Sequence, residues 1–90
     1  MDKKKADGPR VHFRKSVGTV PILLVGRGSR WGVIIVNEGA NTLLIGQSGT
    51  AGTLGIGLAQ NQSLADTFSS DEWWAVYSGS TGTVSGFYIP

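Results

Sequence analysis

The grouping of apolar and polar positions is clearest between residues 31 and 46, where two short apolar runs flank a polar stretch. The first run is Val33–Val36 and the second is Leu43–Ile45. Both have the composition of β-strands, and residues 37–41 between them supply the asparagine and glycine that tight turns favour. The pattern therefore predicts a β-hairpin over residues 31–46.

The first of these strands is apolar on both sides. Because side chains alternate along a strand, Ile34 and Val36 point to one face and Val33 and Ile35 to the other. A domain of 90 residues has one core and can cover only one of the two faces. We therefore expect the second face to meet another subunit or a partner. Five residues are assigned to the core or to an oligomer interface: Trp31, Val33, Ile35, Leu43 and Ile45.

Four further strands are predicted from apolar composition and turn residues. They are residues 19–25, where Pro21 favours either a sheet edge or a strand that begins at Ile22, and residues 62–68, 73–77 and 83–89. Ser69–Glu72 also has the form of a helix capping box, but the apolar run after it ends at Ser78 after five residues, which favours a strand. The turn at residues 78–82 predicts a second hairpin, and the glycine-rich residues 47–57 are interpreted as a crossover.

The composition agrees with this pattern. Fourteen glycines beside one methionine are typical of an all-β chain with many tight turns. The predicted fold is a small antiparallel β-sandwich, or a jelly-roll-like barrel, of about six strands. We assign residues 19–90 to this single domain.

Charge divides the chain into a basic start and a mildly acidic body. Residues 1–15 contain six basic and two acidic residues, for a charge of +4, whereas the remainder carries −2. Residues 1–18 are therefore predicted to form a flexible basic arm, which either is simply solvated or docks on an acidic partner. Its candidate partner-binding residues are Lys3, Lys4, Lys5, Arg10, Arg14 and Lys15. Arg27 and Arg30, in the next turn, are interpreted as solvated loop residues in preference to partner contacts.

The aromatic residues of the strand at 73–77 allow two interpretations. Trp73 and Tyr77 share one side of the strand, and Trp74 lies on the other. Either Trp74 fills the core while Trp73 covers a rim, or Trp73 and Tyr77 bind a partner, since aromatic residues anchor interfaces. Both interpretations stay open at this stage.

The sequence offers little for catalysis or metal binding. It has no cysteine and one histidine, His12, so the usual zinc sites are excluded and a serine nucleophile would have to take its base from the arm. The carboxylates Glu38, Asp66, Asp71 and Glu72 lie in or beside predicted turns. We expect no catalytic residue, no metal and no cofactor. No apolar run approaches the roughly 18 residues of a membrane helix.

The residues around the predicted hairpin resemble those of a known group. The pattern consists of Arg30, Val33-Ile34-Ile35-Val36-Asn37, Gly39, Asn41, Leu43-Leu44-Ile45-Gly46, Trp74-Ala75-Val76-Tyr77-Ser78 and Thr81-Gly82-Thr83-Val84. It resembles small β-sandwich virion proteins of tailed bacteriophages, in particular capsid decoration, or cement, proteins. The resemblance runs from about residue 30 to about residue 86.

This resemblance implies a protein made in the bacterial cytoplasm that binds the assembled capsid and bridges neighbouring shell subunits. Its expected partners are the major capsid protein or another virion protein and further copies of itself, as a trimer or dimer. In this hypothesis the arms dock on acidic shell surface while Trp73 and Tyr77 form the rigid contact. Head fibres, head-to-tail connectors and tail components are alternatives within the same group.

Two other binding functions stay open. A single-stranded nucleic-acid binder would use Trp31, Trp73 or Trp74 as stacking platforms and the arm as a phosphate contact. The confinement of most basic residues to the first 15 positions argues against it, because a binding groove needs them across the body. Carbohydrate recognition would depend on exposed tryptophans alone.

Overall fold

The computed structural model describes residues 10–47, 55–67 and 71–90. Within these ranges the chain forms eight β-strands and no helix. The strands are β1 Val11–Val17, β2 Ile22–Val25, β3 Gly32–Asn37, β4 Leu43–Gly46, β5 Ile56–Leu58, β6 Ser63–Asp66, β7 Trp73–Tyr77 and β8 Gly82–Ile89. The predicted all-β sandwich is confirmed, with eight strands where the pattern indicated about six.

The strands form two four-stranded antiparallel sheets, ordered β1-β8-β3-β6 and β2-β7-β4-β5. The first four strands pair with the last four in reverse order: β1 with β8, β2 with β7, β3 with β6 and β4 with β5. Two further pairings, β3 with β8 and β4 with β7, complete the sheets. This is the strand order of a jelly roll, in which one long hairpin is rolled into two layers.

Both predicted hairpins are wrong, although all four of their strands exist. β3 and β4 lie in opposite sheets, and so do β7 and β8. Alternation identifies which side chains of a strand are buried, but it does not identify the strand's neighbour. Here the buried sides of β3 and β4 face one another across the core, so the short connection between them crosses from one layer to the other.

The core lies between the sheets and is apolar with one exception. It contains Val17, Leu24, Val25, Val33, Ile35, Leu43, Ile45, Leu58, Trp73, Ala75, Tyr77 and Val84. The exception is Asn37, which is fully buried at the end of β3. A buried amide is costly unless each of its polar atoms is hydrogen-bonded.

Asn37 meets this requirement by joining the two sheets. Its Nδ2 donates to the carbonyl oxygens of Asn41 and Leu58, each at 2.9 Å. Its Oδ1 accepts from the backbone N–H of Gly39 at 2.8 Å and from the hydroxyl of Tyr77. All four hydrogen-bonding positions of the amide are thus used.

Tyr77 reaches Asn37 from the opposite layer through a slot between two glycines. A Cβ atom at either Gly39 or Gly82 would come within 2.6 Å of the Tyr77 side chain. The Tyr77 hydroxyl also lies 3.0 Å from the carbonyl oxygen of Thr83 in β8. Burial raises the pKa of Tyr77 above its ordinary value, and the nearby Glu38 carboxylate adds to the increase.

The sheet begins inside the segment predicted as a flexible arm. β1 spans Val11–Val17, and Val17 is fully buried. The pattern missed this strand because His12, Arg14 and Lys15 obscure the alternation of its apolar residues. The boundary predicted after residue 18 is therefore wrong. The first nine residues lie outside the described part of the chain.

Candidate interaction surface

The outer face of the β1-β8-β3-β6 sheet carries apolar side chains that none of the other described strands covers. Because Val33 and Ile35 are buried in the core, their neighbours Ile34 and Val36 point outward and are half-buried. Cross-strand pairing adds the residues beside them, since directly paired residues share a face. We define the outer face by His12, Arg14, Ile34, Val36, Ala65, Ser85, Phe87 and Ile89.

Phe87 and Ile34 form a ridge in the middle of the outer face. They are direct partners on β8 and β3, and His12 and Ala65 extend the same row to the edge strands. A hollow of about 510 Å³ lies on the side of Val36 and Ser85, and one of about 410 Å³ lies on the side of Ile89 and Trp31. The face is therefore corrugated rather than flat.

The charged groups of the outer face are already paired with neighbours. Arg14 forms an ion pair with Glu38 at 2.8 Å, and the other carboxylate oxygen of Glu38 accepts a hydrogen bond from Ser85. The guanidinium of Arg10 stacks over the ring of Phe87, 5.3 Å from its centroid. The ring of His12 packs against the same phenylalanine at 5.5 Å. Apolar side chains thus occupy the middle, and charges lie along the β1 side.

The opposite sheet also presents apolar side chains outward, over a smaller area. Leu44 and Trp74 lie half-buried on the outer side of the two central strands, and Leu23 on β2 is 39% exposed. Trp74 donates from Nε1 to Glu72 at 2.7 Å, which fixes the indole across this face. The protein therefore has half-exposed apolar residues on both broad sides.

Trp73 and Tyr77 are core residues, which corrects their assignment to partner binding. Their exposed fractions are 6% and 2%, so neither can form a surface contact in this fold. The alternative in which Trp74 fills the core is wrong as well, because Trp74 lies on the outer side. The side chains of Trp73, Ala75 and Tyr77 on β7 point inward and fill the space between the layers.

The predicted core or interface residues divide into two groups. Val33, Ile35, Leu43 and Ile45 are buried in the core, at 2% exposure or less. Trp31 is 50% exposed and lies just before β3, where it lines the hollow beside Ile89. It is a surface residue and not part of the core.

The predicted basic residues also have different surroundings. Arg10 and Arg14 lie on or beside the outer face, as described above. Lys15 does not extend toward a partner, because its Nζ donates to the carbonyl oxygens of Leu23 and Leu24 at 3.1 and 3.3 Å and so joins β1 to β2. Lys3, Lys4 and Lys5 lie outside the described residues, and their partner-binding role stays a prediction.

The loop arginines bind a second loop and are not simply solvated. Arg27 donates from Nε and a terminal nitrogen to one oxygen of Asp71, at 2.9 and 2.7 Å. Arg30 donates to the backbone carbonyl of the same residue and, more weakly, to those of Gly26 and Gly28. The hydrogen bonds from Arg27 hold the pKa of Asp71 below its usual range.

The described ranges contain neither a candidate metal site nor a helix that could cross a membrane. Residues 10–47, 55–67 and 71–90 contain no group of three or more His, Cys, Asp or Glu side chains that could hold a metal ion. Within the same ranges, no helix combines the length and apolar character that a membrane crossing requires.

No protein-family model, curated protein or solved structure matches this chain. The resemblance to phage virion proteins therefore stays a prediction.

Sequence reasoning missed Phe87 and Ile89 as surface residues. The signal was present in β8, where Val84, Gly86 and Tyr88 alternate with Ser85, Phe87 and Ile89. Both sets are largely apolar, so the pattern alone does not distinguish the inner from the outer set. The buried Val84 and its pairing with Asn37 settle the register.

Proposed function

We propose that this protein is a structural component of a phage virion, most consistent with a capsid decoration protein that bridges neighbouring shell subunits. The observation that supports the proposal best is the presence of apolar side chains on both broad sides of a small sandwich. A module that joins two partners needs a contact surface on each side. The sequence resemblance supplies the virion context.

The contact residues of this proposal differ from those expected from the sequence. Phe87, Ile34 and Val36 on one side, with Leu23 and Trp74 on the other, replace Trp73 and Tyr77 as the rigid contacts. Arginine and aromatic residues are enriched where interfaces bind most strongly, and Arg10 over Phe87 combines both. The lysines of residues 1–9 would add a second, electrostatic attachment to acidic shell surface.

The proposal is tested by measuring the copy number of this protein in purified virus particles. Quantitative mass spectrometry would compare it with the major shell protein. A number of copies of the same order as the shell protein supports decoration. A few copies per particle would move the assignment to a fibre, connector or tail component, and complete absence would contradict a virion role.

A second candidate is single-stranded nucleic-acid binding, because one observation favours it. Arg10, His12 and Arg14 lie on the folded body beside Phe87, with Trp31 at the end of the same face, so the basic residues are not confined to an arm. However, Arg14 is paired with Glu38, and Arg10 covers the ring on which a base would stack. Salt-sensitive binding of an oligothymidylate that quenches tryptophan fluorescence would favour this candidate over the first.

A further inference from the structure

We propose that the outer face of the β1-β8-β3-β6 sheet is a self-association surface, on which two copies of this chain pack face to face as a two-fold symmetric dimer. This inference names a second copy of the chain as the partner of one of the two broad sides in the virion proposal, and its test uses the isolated protein, so its outcome does not depend on a virion role. It depends on the area of the face, on the sequence of small and large residues along it, and on the arrangement of its charges.

Of the two broad sides of the sandwich, only the outer face of the β1-β8-β3-β6 sheet has an area suitable for a dimer contact. Four strands about 4.8 Å apart and four to eight residues long cover roughly 400 Å² in projection. The accessible area of side chains exceeds their projection, so the face offers a substantial part of the roughly 800 Å² per partner of a standard interface. The other sheet has strands of three to five residues and offers much less.

The residues of the two central strands are self-complementary about one axis. β8 and β3 lie side by side, with Ser85 opposite Val36 and Ile89 opposite Gly32. A two-fold axis parallel to these strands and between them exchanges β8 of one copy with β3 of the other. Each large residue of these two rows then faces a small one across the interface, so the two sheets can approach closely.

The middle row of the same arrangement supplies the apolar contact. Phe87 and Ile34 are paired within one sheet. The two-fold axis therefore places Phe87 of each copy against Ile34 of the other copy, so the contact occurs two times in the dimer. Both side chains are half-buried in the single chain and would be covered in the dimer. An isologous interface repeats each contact in this way.

The charges permit this arrangement. Arg14 on β1 would face the β6 side of the second copy, where Ser63 and Ala65 are uncharged. Arg14 therefore does not meet its own image, and it keeps its ion pair with Glu38. A strongly acidic partner is less favoured than a second copy, because Glu38 already neutralises Arg14 and Arg10 is engaged with Phe87.

The test is sedimentation equilibrium of the full chain over a wide concentration range, with two matched variants. Ile34→Lys places a charge in the middle of the outer face, and Leu44→Lys makes the same change on a central strand of the other sheet. We expect the wild type and Leu44→Lys to reach twice the chain mass of 9.5 kDa. Ile34→Lys should weaken association at least about tenfold, because a lysine would be buried opposite Phe87.

Several results would overturn the proposal. One is a wild type that stays monomeric at every concentration. Another is a trimer, because three copies cannot pair this face with itself. The third is an equal effect of the two lysine variants on association. If Ile34→Lys does not fold, cross-linking decides instead. The chain has no cysteine, so His12→Cys and Ala65→Cys each introduce a single thiol; the two residues face one another in the proposed dimer, whereas two copies of one variant hold their thiols three strand spacings, about 14 Å, apart. A short bismaleimide should link a mixture of the two variants far better than either variant alone, and equal yields contradict the axis.

Discussion

At the scale of single residues, the pair Asn37 and Tyr77 holds the end of the sandwich together. The amide of Asn37 has four partners drawn from both layers, and Tyr77 reaches it through a slot that only glycine permits at Gly39 and Gly82. Buried polar groups of this kind are costly to disrupt because a removed partner leaves the remaining atoms unsatisfied. The connection from β3 to β4 depends on this pair.

Replacing Tyr77 by phenylalanine should lower the free energy of unfolding by about 1–3 kcal/mol at neutral pH, because the Oδ1 of Asn37 loses one of its partners in a buried site. The measurement is urea denaturation followed by tryptophan fluorescence. Phenylalanine keeps the packing of the ring, so an unchanged stability would mean that the hydroxyl does not contribute.

The difference in stability between the wild type and Tyr77→Phe should change at alkaline pH. The folded protein raises the pKa of Tyr77 above its ordinary value, mainly through burial. As the pH rises past about 10, the unfolded chain releases the phenolic proton before the folded chain does, so the folded state binds more protons and its stability falls. We expect the wild type to lose its advantage over Tyr77→Phe above about pH 10. A stability difference that stays constant up to pH 11 would contradict this.

At the scale of strands, close backbone approach restricts β8. A Cβ atom at Gly86 would overlap the carbonyl oxygen of Ile34 on β3 and the ring of Phe13 on β1. The strand therefore fits between its neighbours only with glycine at this position. β5 differs, because a Cβ at Gly57 would meet Thr42 and Leu44 at ordinary distances of 3.4 and 3.7 Å.

Gly86→Ala is expected to destabilise the protein by about 1–3 kcal/mol through this overlap. Gly57→Ala is the matched control and should be neutral or slightly stabilising, by about 0.5 kcal/mol, because alanine restricts the unfolded chain. Thermal unfolding followed by circular dichroism measures both. Equal melting temperatures for the two variants would show that β8 can move away from β3.

The contact between two loops gives a prediction at acid pH. Arg27 lowers the pKa of Asp71, so the folded state binds fewer protons than the unfolded chain and gains stability as the pH rises. This contribution is present above the ordinary pKa of about 4 and is lost as the pH falls below it. Asp71→Asn should melt at a lower temperature than the wild type at pH 7 and at a similar temperature near pH 2.5. A difference that persists in acid would contradict the ion pair.

The strands were largely predictable from sequence, whereas their partners were not. Apolar and β-branched composition was enough to predict strands at Val33–Val36, Leu43–Ile45 and Trp73–Tyr77. β1 was missed because charged residues alternate with Phe13 and Val17, and only its pairing with β8 makes it a strand. The burial of Trp73 was not decidable either, since apolar residues occupy both sides of β7 and the layer that covers one side comes from distant parts of the chain.

At the scale of the whole molecule, the domain includes β1 and therefore does not begin at residue 19. β1 forms one edge of its sheet and supplies Val17 to the core. It also carries Lys15, which binds the backbone of β2 in the opposite layer. The functional arm, if the attachment hypothesis holds, is restricted to residues 1–9.

Deletion of residues 1–9 should leave the fold intact, with a circular dichroism spectrum and a melting temperature close to those of the full chain. Deletion of residues 1–18 removes β1 and Val17 and should yield an unfolded or aggregated chain. Within the virion proposal, the shorter deletion should also attach poorly to particles that lack this protein. Equal attachment would exclude the arm, and a folded product of the longer deletion would contradict the boundary.

The pairing order of the jelly roll also determines when the protein can fold during its synthesis. β8, the last of the eight described strands to leave the ribosome, lies between β1 and β3. Until residues 82–89 have emerged, β1 has no neighbour among the described strands of its sheet, and β3 has only the four-residue β6 among them. Contacts between distant parts of a chain form slowly, and unpaired strands are open to aggregation meanwhile. A ribosome that stops before residue 82 therefore releases a chain without the surface on which we propose its copies meet.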